Sequence, residues 1–248
     1  AMGAEPDWAL LNLVLPAADP KWLEELSIGF FSLADRYNVT LVGGDTSYGP
    51  LNLTVTAGGW VPQGQALCRS GARNGDLIYV SGTVGDAALG LQLLSGPDGC
   101  LSDGENRVIE RLRRPEPRTL LGKALRPWAT AAIDLSDGLA ADLAHVVVAS
   151  GGLGAVIEED CLPLSAEALE LRTRKQLIPI ALGGGDDYEL CFCVPPEYRG
   201  EIDRLGNELR LPLTMIGKID STPGIWLVGE GGVREEYRSG GHRHYWAD

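Results

Sequence analysis

Apolar and polar positions recur along the chain with two periods, and these periods predict which segments form strands and which form helices. Residues 8–15 are almost entirely apolar, which predicts a buried strand. In the segment 51–61, apolar and polar residues alternate from Leu51 to Thr56, which predicts a half-buried strand. Between these segments, apolar residues recur every three or four positions from Pro20 to Tyr37. This spacing predicts an amphipathic helix whose first turn is capped by Asp19.

The rest of the chain continues the alternation of short apolar strands and amphipathic helices. Further strands are predicted at 39–44, 77–82, 129–136, 154–159, 188–194, 213–219 and 225–228. Further helices are predicted at 85–94, 105–112, 118–125, 139–150, 164–172 and 198–209. The alternation predicts an α/β or α+β fold, and the loop containing Pro62 and Gly64 predicts a boundary between a first lobe, 1–66, and a second lobe, 67–248.

Composition and charge exclude several classes of partner. The 248 residues include 21 Lys and Arg against 34 Asp and Glu, a formal net charge of -13. Sequence-independent binding to nucleic acid or to an anionic membrane needs a basic surface, so neither is expected. No apolar run approaches the roughly 20 residues of a membrane span, and the start of the sequence lacks a basic signal region, so the cytoplasm is the expected location.

Cysteine and histidine offer little chemistry in this sequence. Cys191 and Cys193 alternate within a predicted strand, which indicates two small apolar residues buried on one face. Only three histidines are present, so a zinc site built from histidine and cysteine is not expected.

Aspartates stand beside glycines or helix starts at the ends of four predicted strands. The four segments, LVGGDTSYG, SGTVGDAALG, AIDLSDGLAADL and ALGGGDDYEL, contain Asp45, Asp86, Asp134, Asp137 and Asp186. Glycine allows a backbone to approach a ligand closely, and the ends of strands are where open sheets form binding crevices. Carboxylates in such a crevice are typical of magnesium, which is held by one or two carboxylates together with substrate phosphates.

The AIDLSDG segment shows the chemistry and its alternative together. Asp134 and Asp137 flank a strand-to-helix turn, where both can face one ion while Ser136 and the helix N-terminus offer donors to phosphate. The same residue types are also ordinary helix-capping and turn residues, as Gly85 and Asp86 are at the second segment. The phosphate loop GxxxxGK[ST] and the dinucleotide motif GxGxxG after a strand are both absent from the sequence.

The four segments, in this order, resemble the thiamine-monophosphate kinases, a family in the superfamily of aminoimidazole ribonucleotide synthetase and selenophosphate synthetase. The resemblance implies an enzyme that transfers the γ-phosphate of ATP onto thiamine monophosphate, with several Mg²⁺ ions assisting, in the last step of thiamine diphosphate synthesis. ATP is then a co-substrate and thiamine monophosphate the acceptor. Two alternatives stay open: a superfamily member with another acceptor, and a non-catalytic nucleotide-binding module.

The resemblance also implies roles for individual residues. The residues implied to contact ATP are Gly44, Asp45, Arg69 and Ser136. The residues implied to hold magnesium and to carry catalysis are Asp45, Asp134 and Asp137. Asp186 and His242 are implied to contact the acceptor, although Asp186 stands where the family usually has the longer glutamate and His242 where relatives commonly have an aromatic residue.

At the level of the fold, the resemblance implies a two-lobed synthetase-like protein. The first lobe, 1–66, is expected to bind ATP and to dimerise, with strands of two copies completing a shared barrel, and the second lobe is expected to contain a mixed sheet with helices. Family members begin with a further segment of aspartate-rich turns. The sequence is therefore expected to start part-way into the first lobe.

Overall fold

Two units make up the computed structural model, which describes residues 2–96 and 100–238. One unit is Ala4–Ala66, and the other runs from Leu67 onward and includes Met2 and Gly3. None of the helices in these ranges is long and apolar enough to cross a bilayer.

The unit 4–66 is a three-stranded sheet with one helix. Its elements are β1 (Glu5–Leu15), α1 (Pro20–Arg36), β2 (Thr40–Tyr48) and β3 (Asn52–Trp60). The central strand β1 pairs in parallel with β2 and antiparallel with β3. The Asp19 carboxylate accepts from the backbone N–H of Lys21 and of Trp22, at 3.0 and 3.2 Å. These bonds satisfy donors of the first turn that have no partner in the helix, so the predicted capping of α1 by Asp19 is confirmed.

Two expectations about this sheet are wrong. The apolar side chains of the 51–61 segment are exposed rather than half-buried, with Leu51, Leu53 and Val55 at 57%, 41% and 54% exposure. Asp45 does not follow the end of a strand, because β2 continues past it and pairs with β1 as far as Tyr48. The carboxylate of Asp45 therefore projects from within an exposed strand.

The unit that begins at Leu67 is built on a seven-stranded sheet in the order β10-β9-β6-β8-β4-β7-β5. Its strands are β4 (Leu77–Ser81), β5 (Ala131–Asp134), β6 (Gly154–Glu158), β7 (Leu190–Val194), β8 (Leu213–Asp220), β9 (Gly224–Val228) and β10 (Arg234–Glu236). Its helices are α2 (Asp86–Leu94), α3 (Asp103–Arg113), α4 (Thr119–Leu125), α5 (Leu139–Ala149), α6 (Ala166–Leu171), α7 (Arg174–Gly183) and α8 (Arg199–Leu209). Among the described strands of this sheet, only β6 and β9 pair in parallel, so the expected mixed sheet is confirmed.

The strand β7 separates two hydrophobic clusters. Cys191 and Cys193 pack into one cluster with Leu143 of α5, whereas Phe192 packs into the other and stacks on Tyr79 at 5.5 Å between ring centroids. Burial raises the pKa of the Cys191 thiol to about 12, which keeps it protonated. The two cysteines are the small buried residues that the alternation predicts.

The helix α7 and the short strand β10 have no counterpart among the sequence predictions. Thr173 and Gln176 form a capping box at the start of α7, and the helix contains Pro179 in its interior. α7 ends at Gly183, the first residue of the GGGDD segment, so the helix sets where this segment begins.

Candidate functional site

The turn that follows β5 and the segment that precedes β7 are joined through their backbones. Leu135 N–H donates to Glu189 O at 2.9 Å, and Tyr188 N–H donates to Leu135 O at 2.8 Å. Asp186 N–H then donates to Ser136 O at 3.0 Å. The pairing of β5 with β7 thus extends beyond both strands and brings the AIDLSDG and GGGDDYEL segments together.

Glycine is required where these two segments meet. A Cβ on Gly185 would lie 2.3 Å from the carbonyl oxygen of Ser136, closer than any side chain tolerates. Gly138 has φ +111°, and a Cβ there would lie 2.9 Å from the carbonyl carbon of Gly183. The glycines therefore allow the close approach of two backbones in the protein itself.

The TVGD turn at the start of α2 is attached to the same assembly by Asp187. The Asp187 carboxylate accepts from Gly85 N–H at 2.7 Å and from Ala87 N–H at 3.1 Å, and so caps α2 from a distant segment. The Asp86 carboxylate bonds to other residues, because it accepts from the hydroxyls of Thr83 and Ser165 at 2.6 Å each. Three of the four acidic turns therefore form one assembly, and Asp86 serves there as a structural residue.

Asp187 makes the stability of this assembly depend on pH. Burial raises the pKa of Asp187 to about 7, with the nearby charges of Asp86 and Glu189 contributing, against an ordinary value of 3.8. Between these two values the Asp187 carboxyl is protonated in the folded state and ionised in the unfolded state, so its contribution to stability falls as the pH rises from 4 to 7.

We expect the Asp187→Asn protein to lack this dependence. The difference in unfolding free energy between the unmodified protein and D187N, measured by urea denaturation, should fall by on the order of a few kcal/mol between pH 4 and pH 7. D187N also loses one backbone hydrogen bond, but the cost of that loss is the same at every pH and does not alter the pH dependence of the difference. A difference that stays constant over the range would contradict a raised pKa for Asp187.

Glu189 is the most heavily bonded carboxylate beside the site. It is buried, and it accepts from Arg118 Nε at 2.6 Å, from Arg111 Nη2 at 3.1 Å and from the Ser81 hydroxyl at 2.6 Å. Two guanidinium groups thus neutralise one buried carboxylate, which fixes the end of the GGGDDYE segment against β4. Sequence reasoning gives Glu189 no role, because its partners lie 71 to 108 positions away.

Asp142 is a second buried carboxylate that sequence reasoning misses. Its Oδ2 accepts from the backbone N–H groups of Ser136 and Asp137. Burial raises the pKa of Asp142, and the charges of Asp137 and Asp134 add to this effect, whereas the two backbone hydrogen bonds oppose it. A sequence signal exists, since an acid three residues after Leu139 lies on the apolar face of a predicted helix.

The carboxylates of Asp134, Asp137 and Asp186 remain available to bind an ion or a substrate. Across 2–96 and 100–238, no basic side chain forms an ion pair with any of the three. The Tyr188 hydroxyl donates to Asp186 Oδ1 at 3.2 Å. Burial raises the pKa of Tyr188, and so do the charges of Asp186, Asp134 and Asp137, which places all three carboxylates within electrostatic range of one phenol.

The other predicted site residues stand on other segments of the chain. Arg69 is exposed on a segment that lies along the edge of β5. There, Ala132 N–H donates to the carbonyl oxygen of Cys68 at 2.8 Å. Gly44 and Asp45 belong to β2 of the other unit, and a Cβ on Gly44 would lie 1.9 Å from the Leu11 carbonyl oxygen. Gly44 is thus required by strand pairing, and His242 lies outside the described residues.

A site with two carboxylates at one turn is typical of magnesium, whereas a site closed by several protein ligands is not. No three His, Cys, Asp or Glu side chains in the described part of the chain form a ready cluster for an ion. Magnesium keeps much of its hydration and is usually bound by one or two carboxylates and by phosphate oxygens. Asp134 and Asp137, which lack ion-pair partners among these residues, supply the donor type that such an ion needs.

A family model, a relative and two solved structures all relate this chain to the same group of proteins. The family model described as AIR synthase related protein, N-terminal domain, matches residues 1–61. The thiamine-monophosphate kinase of Salmonella typhimurium is 47% identical over 233 residues, which are 93% of this chain and 71% of the relative.

Two solved structures extend this similarity. The crystal structure of thiamine-monophosphate kinase from Stenotrophomonas maltophilia K279a has a TM-score of 0.88 at 45% identity, over 94% of this chain and 74% of that one. The structure of AaThiL complexed with AMPPCP and TMP has a TM-score of 0.83 at 32% identity, over 99% of this chain and 75% of that one. The chain therefore belongs to the thiamine-monophosphate kinase family, which its four acidic segments predicted.

Proposed function

We propose that the chain transfers the γ-phosphate of ATP directly onto the phosphate of thiamine monophosphate, giving thiamine diphosphate and ADP. The observation that carries the proposal is the joined pair of turns that presents Asp134, Asp137 and Asp186 together. The chain shares 32% identity with AaThiL, whose structure contains AMPPCP and TMP. Both ligands carry phosphate, the group that acidic turns bind through a bridging cation.

The residues of the site would act by positioning and by balancing charge. Asp134 and Asp137 would hold Mg²⁺ and would also be the catalytic carboxylates. The magnesium-binding and catalytic roles of Asp45 stay predictions from the family resemblance. When bound, Mg²⁺ would neutralise charge on the phosphate oxygens and so reduce the repulsion between the two anionic substrates. Phosphoryl transfer asks little covalent chemistry of the protein, so correct placement of the two phosphates supplies most of the rate.

Contacts with the two substrates would come from several donors. The Ser136 hydroxyl and the exposed Arg69 guanidinium would donate to the phosphates of ATP. The contact of Gly44 with ATP stays a prediction from the family resemblance. Asp186, held by the Tyr188 hydroxyl, would contact thiamine monophosphate. The role of His242 against the acceptor stays a prediction from the family resemblance.

The test is ADP release by the full-length protein with ATP, Mg²⁺ and a panel of phosphorylated acceptors. Release that requires thiamine monophosphate supports the proposal. Release with a different acceptor identifies another ATP-using member of the superfamily, and nucleotide binding without any release identifies a non-catalytic module. A labelled phosphoprotein trapped after incubation with ATP would contradict direct transfer.

We also propose that the protein is a homodimer formed through the unit 4–66. The supporting observation is the exposed apolar row on β3, which includes Leu53 and Val55. Apolar side chains arranged along one strand are typical of surfaces that become buried on association.

Val55→Asp should convert the dimer into a monomer. An unpartnered charge in a buried interface costs about 3 kcal/mol, so the dimer dissociation constant should rise about 100-fold, as measured by sedimentation equilibrium. Thr54→Asp is the matched control, because the neighbouring side chain points to the opposite face of β3. If V55D and T54D sediment alike as dimers, this row is not the interface.

A further inference from the structure

One buried side chain of α5 holds the turn on which the proposed site depends. Asp142 is only 3% exposed, and a single oxygen of its carboxylate accepts from Ser136 N–H at 2.9 Å and from Asp137 N–H at 3.0 Å. Both N–H groups belong to the turn that carries Asp134 and Asp137. The turn is thus fixed by an acceptor that lies five and six residues further along the chain.

This arrangement differs from an ordinary helix cap. The N-cap position of α5 is Gly138, which has no side chain to accept a bond, and the helix begins at Leu139. Asp142 reaches back beyond the helix start and bonds to residues that precede the cap. Its acceptor therefore determines the shape of the turn outside the helix.

The two bonds also change which groups can bind phosphate. The amides of Ser136 and Asp137 donate to Asp142, so they are not free donors for an anion. What the turn presents instead is the hydroxyl of Ser136 and the carboxylates of Asp134 and Asp137. A turn of this composition favours contact with phosphate through a cation rather than through its own amides.

We propose that Asp142 is a positioning residue that holds the 134–138 turn in its magnesium-binding shape. The inference rests on the proposed function, since the ion and the phosphates are those of the kinase reaction. Partners that orient metal ligands commonly change metal affinity or activity by about 10- to 100-fold when they are removed. Asp142 acts on the ligand residues through their backbone and does not itself contact substrate.

The test compares Asp142→Leu with Asp142→Asn in the full-length protein. Leucine has a similar branched shape and suits the apolar face beside Leu143, so D142L should fold while lacking the acceptor. Asparagine retains one carbonyl oxygen, and both N–H groups bond to one oxygen in the structure, so D142N should keep the turn.

Two readouts are expected to move in D142L. The amides of Ser136 and Asp137 should lose hydrogen-exchange protection, and the Mg²⁺ concentration for half-maximal ADP release should rise about 10- to 100-fold. In D142N, protection should persist and the Mg²⁺ requirement should change less than about threefold. If D142L keeps the protection and Mg²⁺ requirement of the unmodified protein, or if D142N is impaired as strongly as D142L, the proposal is overturned.

Asp76 provides a matched control. It is equally buried, and one oxygen of its carboxylate accepts from Arg73 N–H at 2.9 Å and from the Thr130 hydroxyl at 2.6 Å. Thr130 stands at the end of β5 that is opposite to Asp134. D76L should lower the melting temperature with no change in the Mg²⁺ requirement, and an equal change in D76L would reduce the role of Asp142 to stability. Hydrogen exchange does not depend on turnover, so an inactive unmodified protein would refute the proposed function while the positioning role is still measured.

Discussion

Replacing either Asp134 or Asp137 with alanine is expected to lower the turnover number for ADP release by about 1,000-fold or more at millimolar Mg²⁺. Each change removes a carboxylate from the turn that would hold the ion, and a bound metal contributes several kcal/mol of charge stabilisation in such reactions. Neither carboxylate forms an ion pair with a described residue, so the melting temperature should change little.

The matched control is Asp203→Ala, which removes an exposed carboxylate from α8. D203A should keep the turnover number of the unmodified protein, which excludes a general effect of reduced negative charge. Near-normal turnover in either D134A or D137A would remove the metal-binding role from that residue.

Gly185→Ala is expected to lower kcat/KM for thiamine monophosphate about 100-fold. The added Cβ would lie 2.3 Å from the carbonyl oxygen of Ser136, so the two joined turns must move apart. A displacement of about 1 Å at a reacting group commonly costs this much, because phosphoryl transfer depends on placement. The hydrogen bond from Asp186 N–H to Ser136 O should be lost with it.

Gly200→Ala is the control for the same chemical change in a different place. A Cβ at Gly200, which stands in α8, would have no described atom within 4 Å apart from its chain neighbours and the backbone of its own helix. G200A should leave the kinetics unchanged and stabilise the protein by about 0.5–1 kcal/mol, since alanine favours helix. Unchanged kinetics in G185A would show that the close contact of the two turns is not needed for activity.

Local pattern was enough to predict most of the elements and the residues of the main turn. The capping of α1 by Asp19 depends on neighbours two and three positions away, and the burial of Cys191 and Cys193 follows from strand alternation. The AIDLSDG turn follows a strand and precedes a helix, as predicted. These features depend on short segments of chain, where periodicity and turn chemistry carry the information.

The features that were missed depend on distant pairings. The sequence indicates neither that Asp187 caps a helix 100 positions earlier nor that Glu189 meets Arg118 across 71 positions. The predicted strand 39–44 stops just before Asp45, whereas pairing with β1 keeps β2 continuous as far as Tyr48. Tertiary pairing overrides local preference at each of these residues.

The most direct test of the proposed phosphoryl transfer is ³¹P NMR of the full-length protein with ATP, Mg²⁺ and thiamine monophosphate. We expect the monophosphate resonance of the acceptor to be replaced by the two coupled resonances of a diphosphate, with ADP formed in equal amount. ATP converted to ADP and inorganic phosphate, with the acceptor resonance unchanged, would contradict the proposed reaction.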